Sequence, residues 1–148
     1  MSTLHVIRLR GPWEYVVEAR FLAAADRAAG ATESTSDLPL PGRAAMPACW
    51  ANSLGPDFRG RVSYRRPFGK PTGITPAERI WLVCDGADPQ ASLTLNDEPL
   101  GTIDGPASPA EFDVTDRLRE RNVLVAIVES ADRAGGLTGE VRLEIRES

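Results

Sequence analysis

Residues able to move protons, attack carbonyls or hold metals are few in this chain, and they are poorly grouped. Its one histidine, His5, stands near the N-terminus. Chain ends are commonly frayed, so a Ser-His-Asp or Cys-His arrangement would rest on the segment least fit to hold it. Cys49 and Cys84 lack the close pairing of a zinc site and are too few for a disulfide scaffold, so they read as small apolar side chains with free thiols. Asn96-Asp97-Glu98 lacks the alternating ligands and the glycine of an EF-hand loop and reads as a polar hairpin tip. Glu111 and Asp113 share one strand face, an arrangement from which a glycosidase draws its two carboxyl groups. Alternation alone produces such a pair, and Phe112 and Val114 make the segment a core strand with its acids in solvent. Gly135-Gly136-Leu137-Thr138-Gly139 has no P-loop lysine and precedes a strand instead of a helix. The expectation is a chain with no catalytic residue, no metal site and no cofactor.

Binding chemistry has a better candidate in the stretch from Trp50 to Arg59, which concentrates Trp50, Asn52, Asp57, Phe58 and Arg59 between two strands. Aromatic faces stack on sugar rings, and neighbouring amides, carboxylates and guanidinium groups bond the hydroxyls. The same two aromatics read more readily as a cap on the end of a core, which is the commoner place for large rings. Trp13 and Trp81 lie in alternating strands and read as core.

The elements that must carry these residues are strands. Trp13, Tyr15, Val17, Ala19 and Phe21 fall on one side of an alternating run, Glu14, Glu18 and Arg20 on the other, with Val16 out of pattern. The alternation returns at Val62, Tyr64, Arg66 and Phe68, at Ile80, Leu82 and Cys84, and at Val141, Leu143 and Ile145. Further strands are expected at Val6 to Arg10, Ala91 to Leu95, Glu98 to Ile103, Glu111 to Thr115 and Val123 to Glu129. Glycine and proline punctuate them, as at Gly11-Pro12, Gly55-Pro56, Asp85-Gly86 and Gly105-Pro106. Short strands so spaced indicate an all-β sandwich or barrel. The alanine-rich run Leu22 to Gly30 predicts one short helix, Ala31 to Asp37 a surface loop, and Thr115 the cap of a further helical turn.

At 148 residues the chain suits a single domain with one core. Its net charge of −4, with 17 basic against 21 acidic residues mixed along the chain, offers no basic field for nucleic acid. No apolar run approaches the roughly 20 residues that cross a bilayer, and Met1 to His5 is not the start of a signal peptide, so no membrane partner and a cytoplasmic location are expected.

Read in order, the segments match a known pattern. Pro47-Ala48-Cys49-Trp50 leads to Gly60, Tyr64 and Phe68; then come Trp81-Leu82-Val83-Cys84-Asp85-Gly86, the hairpin Leu93-Thr94-Leu95-Asn96-Asp97-Glu98-Pro99-Leu100-Gly101, Phe112-Asp113-Val114-Thr115, and the strand from Asn122 to Val128. In this order they resemble the sugar-binding domain of family 2 glycoside hydrolases, the galactose-binding-like jelly-roll β-sandwich that precedes the catalytic barrel of β-galactosidases and β-glucuronidases. The resemblance covers about residues 41–145 of a single 1–148 domain, with residues 1–40 adding N-terminal strands and the helical insertion. It implies that the catalytic glutamates lie in a barrel absent from this chain, and that the stretch Trp50 to Arg59 approaches a sugar. The family's closing Gly-Ile-x-Arg is replaced by Gly136-Leu137-Thr138-Gly139, so its arginine is missing. Two functions follow: a non-catalytic carbohydrate-binding module, or an interaction domain docking a protein through an outer sheet face or the Leu22 to Gly30 segment.

Overall fold

The computed structural model of the chain describes residues 3–22 and 33–147. Its strands are β1 (Thr3–Arg8), β2 (Trp13–Phe21), β3 (Glu33–Ser34), β4 (Gly42–Ala44), β5 (Gly60–Gly69), β6 (Glu78–Cys84), β7 (Ala91–Leu95), β8 (Glu98–Ile103), β9 (Ala110–Asp113), β10 (Arg121–Ser130) and β11 (Val141–Glu147), with one short helix, α1 (Ala51–Leu54). They form two antiparallel sheets. One has the order β1-β11-β6-β9; the other has the order β3-β2-β5-β10-β7-β8, with β4 also paired to β2. The chain passes from one sheet to the other after β1, β5, β6, β8, β9 and β10, so each sheet is closed by strands distant in sequence. This is the expected β-sandwich.

Alternation determines what each strand buries. Ile80, Leu82 and Cys84 of β6 and Val141, Leu143 and Ile145 of β11 face Trp13 and Val17 of β2, Val62 and Tyr64 of β5, Leu124, Ala126 and Val128 of β10, and Ala91, Leu93 and Leu95 of β7. All are 4% exposed or less. Full burial of one large aliphatic side chain contributes roughly 1.5–3 kcal/mol. Val16, the residue that broke the pattern, is 48% exposed on the outer side of β2.

The β7–β8 hairpin turns on Asn96 and Asp97, at φ of 53° and 67°, the left-handed pair that matches the twist of two short strands. Asn96 pins this tip to β10: its Oδ1 accepts from the Val123 N–H at 2.9 Å and its Nδ2 donates to Asn122 Oδ1 at 3.0 Å. Asn122, 1% exposed, is satisfied in turn by the Arg119 backbone.

Several expectations are corrected. Trp81 does not enter the core. Its neighbours Ile80 and Leu82 point inward, so Trp81 lies on the outer face of the four-stranded sheet, half-buried, with the Arg146 guanidinium 4.8 Å from its ring. Thr115 caps no helix. Its Oγ accepts the Ile80 N–H at 2.8 Å and donates to Asp113 at 2.7 Å, while Arg117 and Leu118 close a turn on the Val114 carbonyl. Within the predicted loop Ala31 to Asp37, Glu33–Ser34 pairs with β2. The helix predicted from Leu22 to Gly30 lies, from residue 23 onward, outside the described residues.

Candidate functional site

The stretch from Trp50 to Arg59 crosses one end of the sandwich between β4 and β5. It is anchored by a seam of three strands of backbone. Ala48 N–H donates to the Leu137 carbonyl and Trp50 N–H to the Gly135 carbonyl, both at 2.8 Å, while Asp88 and Gly136 exchange two bonds of 2.9 Å. The Gly-Gly pair answers a steric demand: a Cβ on Gly135 would stand 2.6 Å from the Asp88 carbonyl oxygen, and one on Gly136, at φ 151°, 2.4 Å from that of Ala48. Leu137 then drops into the core with no exposed surface. The closing segment is thus a stitch between loops, a role that repeated glycine in the sequence signals.

From this anchor the chain makes the single turn of α1 and returns. Trp50 is 1% exposed and Phe58 9%. Their rings meet edge to face at 5.5 Å, and the Trp50 indole N–H donates to the Phe58 carbonyl at 3.2 Å, which satisfies the one polar atom that burial would otherwise strand. Both rings therefore roof the core, and neither presents a face to solvent. Of the two readings of Trp50 and Phe58, their burial fits the core cap and not the stacking face: both belong to the core cluster, and none of the chain's aromatic residues is among its exposed large hydrophobics.

What the turn shows to solvent is polar. Asn52 and Asp57 are exposed, and Arg59 is half-buried. The Arg59 guanidinium donates to the Pro56 carbonyl at 2.8 Å and to the Phe58 carbonyl at 2.9 Å, so its position is held before any ligand arrives. The structure brings the five predicted residues together but divides them into an inner aromatic pair and an outer polar trio.

The residues considered for chemistry are engaged elsewhere. Glu111 accepts two bonds from Arg146, and Asp113 accepts from Arg79 and Thr115. Burial works to raise the Asp113 carboxyl, but these hydrogen bonds outweigh it and hold the group below its ordinary range. Arg142 of the closing strand is tied to Asp85, Glu140 and Glu144. Cys49 is half-buried and Cys84 buried, and both are unpaired. Among the described residues, no three metal-binding side chains are grouped to hold a metal ion, and no helix is long and apolar enough to cross a membrane.

Residues 51–138 match the family model of the glycosyl hydrolase 2 galactose-binding domain-like group. The chain belongs to this family. The matched span opens on α1 and ends at the seam, so the family signal covers the candidate stretch and the strands beneath it. Solved structures carry the same fold. The β-glucuronidase of Bifidobacterium dentium complexed with coumarin-3-O-glucuronide aligns with a TM-score of 0.73 at 21% identity, over 100% of this chain and 31% of its own. An uncultured Clostridium sp. β-glucuronidase aligns at 0.73 and 20%, over 97% and 29%. That of Faecalibacterium prausnitzii aligns at 0.73 and 17%, over 97% and 32%. The chain thus spans about a third or less of these enzymes. No curated protein matches it.

Proposed function

We propose that this chain is a non-catalytic carbohydrate-binding module whose sugar contact is polar, made by Asn52, Asp57 and Arg59 on the turn over the Trp50–Phe58 roof. The observation that carries this reading is the fixed Arg59 guanidinium, held by two carbonyls beside an exposed amide and an exposed carboxylate. A preset donor fork flanked by acceptors matches vicinal hydroxyls, and its ordering cost is met in folding. Without an exposed ring the affinity is weak, with Kd on the order of millimolar, about −4 kcal/mol. Membership of a galactose-binding-like family supports the ligand class.

The test is a titration of 15N-labelled protein with galactose and, separately, glucuronic acid. The backbone amides of residues 51–59 should shift with a common saturation curve, and both Arg59→Ala and Asp57→Ala should weaken it several-fold. If no amide of this stretch moves at tens of millimolar sugar, the domain serves by docking protein alone. That second reading is favoured by one observation, that no aromatic ring is among the chain's exposed large hydrophobics.

A further inference from the structure

The β7–β8 hairpin tip and the turn before β10 enclose a second concavity, and one buried asparagine joins its two walls. Asn122, 1% exposed, accepts through Oδ1 from Asn96 Nδ2 at 3.0 Å on the hairpin side and from the Arg119 N–H at 2.8 Å on the turn side, while its Nδ2 donates to the Arg119 carbonyl at 2.8 Å. Both walls are thus fixed in folding, and a ligand entering between them has little backbone to order. The cleft measures about 280 Å³. It is lined by the buried Leu95 and Leu118 and by four charged side chains, Glu98 from the hairpin and Asp116, Arg117 and Arg119 from the turn. These charges are unequally committed. Arg117 donates to the Glu98 and Pro99 carbonyls at 3.5 and 3.1 Å, and Asp116 accepts from Arg79 through Oδ2 at 3.0 Å. The Glu98 carboxylate has only Arg117, at 3.9 Å, beyond hydrogen-bonding range. Among the described residues the Arg119 guanidinium meets no acceptor, whereas Arg61, Arg79, Arg142 and Arg146 each end on a carboxylate. The cleft is left with one uncommitted donor fork, the Glu98 carboxylate and the second Asp116 oxygen.

We propose that this cleft binds a small zwitterion, a free α-amino acid, with its carboxylate on the Arg119 guanidinium and its ammonium at Glu98 and Asp116. Charge selects this class. The two arginines and two acids of the lining cancel, so a simple anion gains at Arg119 and loses against the carboxylates, and a simple cation does the reverse. A neutral polyol fits the hydrogen bonds but brings no counter-charge, and bonds between ionised partners are roughly twice as strong as neutral ones. A planar guanidinium also presents paired N–H groups to both oxygens of a carboxylate. The volume lies just under the roughly 300–1,000 Å³ of drug-sized sites, which suits a ligand of few atoms. The Glu98 and Asp116 side chains are 69% and 82% exposed, so solvent screens the contact and Kd falls on the order of millimolar. This site is independent of the sugar contact: β10 extends about 27 Å from Asn122 to Ser130, the residue opposite Gly60.

Titration of the 15N-labelled full chain with L-alanine tests it. The backbone amides of residues 95–98 and 116–119 should shift on one saturation curve, and those of residues 51–59 should stay still. L-lactate, which lacks the ammonium, and ethylamine, which lacks the carboxylate, should each bind about fivefold more weakly or worse, and galactose should leave these amides unmoved. Arg119→Gln and Glu98→Gln alter exposed side chains; each should weaken alanine binding by a similar factor with an unchanged unfolding midpoint, while Arg121→Gln, outside the lining, should leave it intact. Wild-type amides that do not move at tens of millimolar alanine would overturn the proposal. So would lactate and ethylamine binding as well as alanine, shifts produced by galactose in its place, or undiminished binding in both folded glutamine variants of Arg119 and Glu98.

Discussion

Trp50 shows how far a residue's type leaves its role open. Indole can stack on a sugar or roof a core, and both roles fit a tryptophan between two strands; the choice was made by the Phe58 carbonyl, a partner supplied only once the turn has closed. Trp81 carries the opposite lesson: alternation with Ile80 and Leu82 in the sequence already places it on the outer face, and size alone pointed to the core. Asp97 was legible in full, because a two-residue hairpin demands left-handed backbone and the sequence offers Asn-Asp where Asn-Gly is favoured. Asp97→Gly relieves strain while freeing the unfolded chain; the strain dominates by about 0.5–1 kcal/mol, and calorimetry should find a midpoint a few degrees higher. Cys84 is buried, and burial pushes its thiol up to about 12. A thiol reagent at neutral pH should therefore modify Cys49 in the native protein and reach Cys84 only on unfolding. Equal native rates would mean that the end of β6 opens freely.

At the level of elements, length decided what the sequence could announce. β2, β5, β6 and β11 declared themselves through a repeated alternation, whereas β1, expected at Val6 to Arg10, runs instead over Thr3–Arg8 with no clear period. β3, β4 and α1, with two, three and four residues, are too short to show any period. Thr115 was misread because a hydroxyl before a polar run resembles a helix cap; here the neighbouring strand offers the unpaired Ile80 N–H, and that contact is invisible in one dimension. The seam likewise joins segments remote in sequence, and its only local mark is Gly135-Gly136. Gly136→Ala sets a methyl against the Ala48 carbonyl oxygen and the Cys49 Cα, both backbone atoms with little freedom to yield. A loss of more than about 2 kcal/mol in chemical denaturation is expected. A neutral result would show that the seam tolerates separation.

The molecule as a whole balances an oily interior against an ion-paired outer sheet, and acid acts on the latter. Glu144, 8% exposed, accepts bonds from Arg142, Arg146 and Thr3. Burial pushes its carboxyl up, but the three donors together prevail and hold it below the ordinary range. A carboxyl depressed on folding stabilises the protein above its unfolded pKa and loses that contribution as pH falls through the folded value. Stability should decline below about pH 4.5. Glu144→Gln should cost roughly 1–2 kcal/mol at pH 7, with the gap to wild type narrowing as pH falls through the depressed folded value; a gap independent of pH would assign the loss to packing. At this scale the sequence was most informative, since the all-β sandwich follows from alternating segments read in succession, whereas the sheet order and the polar trio emerged only in three dimensions. The seam has one more consequence, in time. The chain cannot close it by local search, because residues 48–50 must wait for residues 135–137 to arrive from the far side of six intervening strands. Loop-closure entropy must be overcome before those bonds give any return, so refolding belongs on the millisecond-to-second scale of non-local β proteins. If the seam forms late, after the transition state, weakening it at Gly136 will leave the refolding rate almost unchanged and quicken unfolding.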